Sequence, residues 1–539
     1  MTQLKNRGSN TRNWVALGAL VLAAVASGTA CGGGEGGVDR DGSGGAGANN
    51  AGGAGANDGT GGDGASDGSG GGGIDPDATV GQVRMAPCGK DMANLQAETY
   101  EATGWKAETE CQPAFVSKWD TAQPGVSSNT EIRLPLVEVG TYDFWIDWGD
   151  SKISHITKWD ADAITHSYAK KGEYDVQVVG VWEGFRFGVE KTLLGKVGAA
   201  DAEKILEVSQ WGALVFGPVD GHFYGAKNLR VTASDAPDLS KTTSLAYSFR
   251  KAESVTEGLE NWDTSTITSL EWVFGPAINF NSDISAWDTS NVTSMFGSFD
   301  GATAFNQDIG GWNTSKVTDM GQMFGGATSF DQNLDRWDTS QVIQIGGMFL
   351  DASSFNGKIG TWDTSGVEYF TRMFEGATVF NQDIGAWDTS KALSMWQMFQ
   401  DADAFNQDIG GWDISKVETM EGMFQSAGVF NQDLSAWNVS NVNNMADMFA
   451  AAAFFDQDIS GWNIDKVTDM EFMLSWSGLS IVNYGKLLTA WALRPGIQSN
   501  VSFGAKGLKY SVAVQPARDA LTSGTNNWVI DGDSCSDCP

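Results

Sequence analysis

Apolar residues recur along this chain at one fixed interval. Trp262, Trp287, Trp312, Trp337, Trp362, Trp387, Trp412, Trp437 and Trp462 stand 25 residues apart without a slip. Twelve positions after each comes Phe274, Phe299, Phe324, Phe349, Phe374, Phe399, Phe424 and Phe449, then Leu474. A second Phe column runs from Phe280 to Phe455 at the same period. A degenerate copy precedes them, with Pro237 at the Trp position and Leu245, Phe249 and Val255 in register. One such unit cannot bury its own aromatics, so the units must stack.

Within a unit, Val317, Met320, Met323, Phe324, Ala327 and Phe330 are spaced three to four apart, which predicts a short helix. Ser265, Ser290, Ser315, Ser340, Ser365, Ser390, Ser415, Ser440 and then Asp465 precede that stripe as predicted N-caps. Glu368 and Glu418 would complete capping boxes. Residues 305–309 alternate like a short strand, and Gly310-Gly311 turns the chain back. One helix and one strand per unit falls in the leucine-rich-repeat length class. The expected fold class is therefore α+β: a right-handed, leucine-rich-repeat-like solenoid over residues 237–478, with caps at 191–236 and 479–530. The repeat methionines read as core filler.

Ahead of the repeats, Ile132-x-Leu134-x-Leu136, Tyr142-x-Phe144-x-Ile146-x-Trp148 and Tyr174-x-Val176-x-Val178 alternate with period two. They predict half-buried strands of a small β-sandwich over residues 114–190.

Composition narrows the function. The net charge is −33, which repels nucleic acid and anionic membrane surfaces. The histidines are His155, His166 and His222, too few to favour a multi-His metal centre or a His-based triad. Lys5, Arg7 and Arg12 precede an apolar run of 13 residues, 14–26, as in a signal peptide ending at residue 30. Residues 32–73 hold 21 Gly in 42 positions, the composition of a flexible tether that extends to residue 78. Removing Cys31 leaves four cysteines. Cys88 and Cys111 flank the segment 79–113, and Cys535 and Cys538 close the tail 531–539. Such pairs in an exported protein read as disulfides, with a redox or metal role the alternative for the tail pair.

Three resemblances add to this. Ser27-Gly28-Thr29-Ala30-Cys31 resembles a bacterial lipobox, although Gly28 replaces the usual Leu or Val, and implies a lipid anchor on Cys31. Asp147-Trp148-Gly149-Asp150, with His166-Ser167-Tyr168 and Gly172-x-Tyr174, resembles the PKD family of immunoglobulin-like domains, with Ser151 and Ser167 as departures. That implies a spacer or binding module. The string Met-Phe-x-Gly-Ala-x-x-Phe-Asn-Gln-Asp-Ile-x-x-Trp-Asp-Thr-Ser, read here over 323–348 with Asn333, Leu334 and Ile345 as departures, resembles the repeat of BspA-type leucine-rich-repeat surface lipoproteins. Residues 484–491 and 513–521 resemble the helical closing element of such proteins. The resemblance implies surface display and adhesion, with no catalytic residues.

Three polar columns also repeat. Asn281 to Asp456 form one, read as an amide ladder between units. Asp238 to Asn463 form another, explained by local turn bonding. The third contains Asp383, Asp408, Asp433 and Asp458 in an unbroken run after Asn333 and Lys358. Carboxylates about 4.8 Å apart repel. Backbone N–H bonds can offset this, or Ca²⁺ can bridge neighbouring units. No other cofactor is expected. The sequence thus reads as a monomeric, exported, non-enzymatic protein, lipid-anchored on the outer face of a bacterial envelope. Its partner would be an extracellular protein or polysaccharide. A spacer without ligand is the alternative. A carboxylate-pair enzyme acting on polysaccharide is weaker, because repeated acids are what a structural column provides.

Overall fold

The computed structural model describes residues 75, 77–88, 94–188 and 200–538. The signal segment, Cys31 and nearly all of the tether lie outside the described residues.

Strands β1 (Val83–Pro87), β2 (Asn94–Glu101), β3 (Gly104–Ala107) and β4 (Gln112–Pro113) form a small antiparallel sheet in which β2 pairs with the other three. A Cys88–Cys111 disulfide joins the end of β1 to the start of β4. The chain continues through β5 (Phe115–Asp120), β6 (Glu131–Arg133), β7 (Leu136–Asp147), β8 (Ile153–Ile156), β9 (Thr165–Ser167), β10 (Glu173–Phe185), β11 (Ile205–Gln210), β12 (Leu214–Val215) and β13 (Arg230–Val231). Seven of these make one open sheet in the order β13-β11-β5-β10-β7-β8, with β12 on the far end of β10. The alternation predicted for β7 and β10 is present: Tyr142, Phe144, Ile146, Val176 and Val178 are buried on one face.

The expected separate sandwich is overturned here. One open sheet, with β6 and β9 paired as a ribbon, replaces two packed sheets. Strands β11, β12 and β13 come from the segment expected to cap the repeats, yet they join the same sheet. A fully buried ion pair fastens this junction. Asp201 accepts the N–H groups of Val126, Ser127 and Arg133, while Lys204 Nζ donates to Ser127, Ser128 and Glu131 carbonyls. One hydrophobic core then runs from Phe115 through every unit to Ile530.

The α+β helix–strand solenoid is also overturned. The repeats contain no helix. The two α-helices among the described residues, α1 (Ile481–Ala492) and α2 (Gln515–Thr522), follow them. Each repeat is a series of turns carrying one isolated parallel bridge, Ser294–Asp319 and Asp319–Gln344 for example. The aromatic-rich units are tandem and bonded neighbour to neighbour. The hydrogen bonds explain why no helix forms. Met320, Gln322 and Phe324 donate their N–H groups to Gln344, Gly346 and Met348 of the following unit. Met323, Gly325 and Ala327 donate three residues back. A helix would turn all of these inward to the fourth residue back.

The cause is two left-handed residues per unit, four apart: Gln322 with Gly326, Gly347 with Asp351, Gln397 with Asp401, Asp447 with Ala451. Each ends a turn and restores the inward direction, so the three-to-four spacing of the buried stripe persists without a helix. The expected N-cap serines have another role. Their N–H groups donate to the carboxylate or amide two residues earlier, as Ser340 does to Asp338 at 3.0 Å. This is the turn bonding expected of that column.

Three further side-chain ladders bind unit to unit. Trp312 Nε1 donates to Ile284 O at 3.1 Å, and the same bond recurs from Trp287 to Trp462. Buried Thr314 donates to Asp338 O of the next unit. Asn306 Oδ1 accepts Asp331 N–H, and Asp331 Oδ1 accepts Asn356 N–H. Only an acceptor oxygen is needed there, so Asp serves as well as Asn. Beyond the repeats the pattern continues: Met470 donates to Ser502 O and Leu474 to Gly504 O. Strand β14 (Ser502–Gly504) pairs in turn with β16 (Val529–Asp531), and β15 (Lys509–Tyr510) with β17 (Ser534–Cys535), whose Cys535 is bridged to Cys538.

Candidate functional site

The repeated frame divides the surface into two kinds of column. The Asp-Thr-Ser stretch after most of the Trp residues and the Asn-Gln-Asp stretch after most of the second Phe residues recur, and their Asp, Thr, Asn and Gln side chains make structural bonds. The columns flanking the isolated bridge behave otherwise. The one through Gln322 reads Tyr, Trp, Gly, Gln, Gly, Arg, Gln, Gly, Asp and Phe from 247 to 472. The column through Gly321 holds Glu271, Phe296, Thr371, Trp396 and Glu421. Their backbones carry the unit-to-unit bonds, so the side chains are free to differ. Most are half-buried, and the column of Thr318, Ile343, Glu368, Glu418 and Asn443 beside them is exposed. This strip is the candidate binding surface.

At its start Arg250 lies over the Trp272 ring at 4.3 Å, and Trp272 meets Phe296 edge-on at 5.6 Å. Gly297 leaves room for Trp272, since a Cβ there would sit 2.8 Å from the indole. Asp300 is pushed up to about 6 by burial, opposed by Arg250. Further along, Arg372 pairs with Glu375. Near the end, burial and then Glu421, Glu471 and Asp469 raise Asp447 to about 6. A groove of about 630 Å³ opens where the strip meets the loop after α1, lined by Leu393, Lys416, Glu418, Asn441, Asn443, Lys466, Thr468 and Gln498.

The acids singled out as Ca²⁺ ligands are engaged locally. Asp383, Asp408, Asp433 and Asp458 each accept, through Oδ1, the N–H two residues on, at 2.9–3.1 Å. Asp458 Oδ2 also takes Lys486 Nζ at 3.0 Å. The Ser435 N–H and hydroxyl hold the Asp433 carboxyl low, and the Ser460 hydroxyl does the same for Asp458.

The histidines are dispersed. His155 Nε2 lies 2.7 Å from Asp143, with its ring stacked on Trp145. His166 stacks on Trp148 and reaches Asp150 at 3.1 Å. His222 contacts Ser248 Oγ at 2.9 Å through Nδ1, but both are fully buried. Burial drives His222 to about 3, so it is neutral and donates from Nε2 to Phe216 O. Of the tryptophans ahead of the repeats, Trp148 and Trp182 are core and Trp159 is exposed.

Sequence reasoning missed the variable strip and the groove. The signal was available as the contrast between constant and changing columns.

The repeats match a family described as "Mycoplasma protein of unknown function, DUF285" over residues 243–356, 331–429 and 405–489. Together these span 247 of 539 residues. The chain is similar to that family through its repeats. No curated protein matches it.

Proposed function

We propose that this chain is a surface-displayed binding protein whose stacked repeats hold out a strip of variable side chains to an extracellular macromolecule. The observation that carries this reading is the row of changing aromatic, charged and apolar side chains along that strip, held in place by backbone bonds from unit to unit. The lipobox-like Cys31 and the Gly-rich segment after it support display on a tether. Incorporation of a palmitate analogue that is lost in Cys31→Ala tests the anchor.

The binding reading is tested on arrays of extracellular proteins and polysaccharides. A strip variant, Ile343→Ser with Glu368→Ser and Trp396→Ser, should lose capture about tenfold or more. A variant elsewhere, Val379→Ser with Val429→Ser, should retain it. Equal capture by both folded variants overturns the assignment to this strip.

A further inference from the structure

The groove at the end of the strip carries a charge pattern that the frame does not require. Residues 237–486 hold 33 acids against 11 Lys and Arg, yet five of those 11 stand in one column: Lys241, Lys316, Lys391, Lys416 and Lys466. All five are exposed. Of these, only Lys391 and Lys416 occupy neighbouring units.

Neighbouring acids account for part of this column. Lys391 and Lys416 both act on Asp388, whose carboxyl is held low chiefly by the Ser390 hydroxyl and N–H. Lys466 has no such counterpart. The corresponding positions in its own and the preceding unit are Asn463 and Asn438, and nearby Asp465 is taken by Arg494 at 3.1 Å. Lys466 Nζ instead donates to the neutral Asn441 Oδ1 at 2.6 Å. Within the groove the charged groups are Lys416, Lys466 and Glu418, leaving one net positive charge in a chain of net charge −33.

Two units separate Lys416 from Lys466, about 10 Å at a spacing of ~4.8 Å per unit. Between and beside them lie the amides of Asn441, Asn443 and Gln498, the hydroxyl of Thr468 and the carboxylate of Glu418. Asn441, Thr468 and Gln498 already donate to the Ser415, Asn443 and Asp465 carbonyls, so two cations two units apart, with Asn443 and Glu418 beside them, suit a polymer that carries both acid and hydroxyl functions. A phosphorylated or sulfated chain without hydroxyls would gain from the lysines alone and have nothing to donate to Glu418.

The geometry points to a polyuronate as the ligand of this groove: an extended glycan of hexuronic acids lying along the stack. Its carboxylates bind Lys416 and Lys466, and its hydroxyls bind Asn443 and Glu418. This deepens the proposed binding function and rests on it.

The test is titration of the full chain with alginate and polygalacturonate oligosaccharides, alongside their carboxyl-reduced, neutral counterparts. The acidic oligomers should bind, weaken as ionic strength rises, and exceed the neutral ones by about tenfold. Lys416→Gln with Lys466→Gln should lose about tenfold or more. Lys316→Gln, in the same column outside the groove, should bind as the parent does. The exposed lysines can be replaced without loss of fold, which an unchanged thermal melt would show. Equal binding of neutral and acidic oligomers, or full affinity in the double variant, overturns the inference. No binding of any uronate, with strip-dependent capture of another macromolecule intact, overturns this inference alone. Loss of all strip-dependent capture overturns the wider reading.

Discussion

Adjacent glycines in one unit distinguish turns from a helix by the sign of a stability change. Gly347 has φ +64°, whereas Gly346 lies outside the left-handed region. A Cβ at Gly347 would meet Gln322 Cγ at 3.4 Å, and one at Gly346 would meet Thr371 O at 3.4 Å, both ordinary contacts. Steric crowding therefore does not separate the two sites, and only backbone conformation does. Alanine at either position removes chain entropy from the unfolded state, stabilising by about 0.4–1 kcal/mol. At Gly347 it also forces a left-handed alanine, costing roughly 1–2 kcal/mol. The entropy gain is common to both, so Gly346→Ala should exceed Gly347→Ala by about 1–2 kcal/mol. A helix would give a gain of about 1 kcal/mol at each site. Urea unfolding followed by near-ultraviolet circular dichroism measures the difference as a shift in midpoint at constant slope. If Gly347→Ala proves as stable as Gly346→Ala, the left-handed turn is refuted.

Other perturbations test the junction and the acids. Lys204→Met or Asp201→Asn should each cost about 3–5 kcal/mol, because either leaves the other group buried without its partner; a wild-type melt for either would contradict that staple. Asp447 is raised from 3.8 to about 6, so the folded state binds its proton more tightly than the unfolded state does, and stability falls as pH rises between those values. Asp447→Asn should thus be more stable than the parent above pH 6 and equal to it below the ordinary carboxylate range; a difference independent of pH would refute this. Because Asp383, Asp408, Asp433 and Asp458 each take a backbone N–H, Ca²⁺ and NaCl at equal ionic strength should raise the melting temperature alike. A larger Ca²⁺ effect, blunted by Asp408→Asn, would instead establish bridging.

The layered part of this architecture was readable because its determinants repeat. Trp, Phe and Asn recur at the unit length, and the interval itself reports neighbour-to-neighbour bonding. Helix α1 covers residues 484–491, which the resemblance led one to expect as a helical closing element, and its Tyr484, Leu487, Leu488 and Trp491 are all buried. The turns were misread because the same three-to-four spacing arises when left-handed residues redirect the chain. Gln322, Arg372, Gln397 and Ala451 occupy those positions, and all are residues that ordinarily favour helices. The clue lay in glycine recurring at Gly297, Gly347 and Gly422, and again at Gly301, Gly326 and Gly376. The continuation of the first sheet into β11 was hidden for a different reason. Its pairing with β5 spans nearly ninety residues of chain, and a strand's local pattern does not name its partner. The lysine column was countable from the start, but only the groove beside Gln498 gave it a place.

The tryptophan row has an optical consequence. Trp337, Trp362, Trp387 and Trp412 follow one another at ring separations of 6.2–6.4 Å, with planes within 2° of parallel. Chromophores so close and so aligned do not absorb or emit as individuals. Their transition dipoles couple, and an excitation received by one indole migrates along the row before it is lost. Fluorescence from the folded chain therefore belongs to the array, and a quencher at a single unit drains its neighbours as well. The spectroscopic signal reports the continuity of this row, so a break between any two of these four units would show as a change in the light from all four.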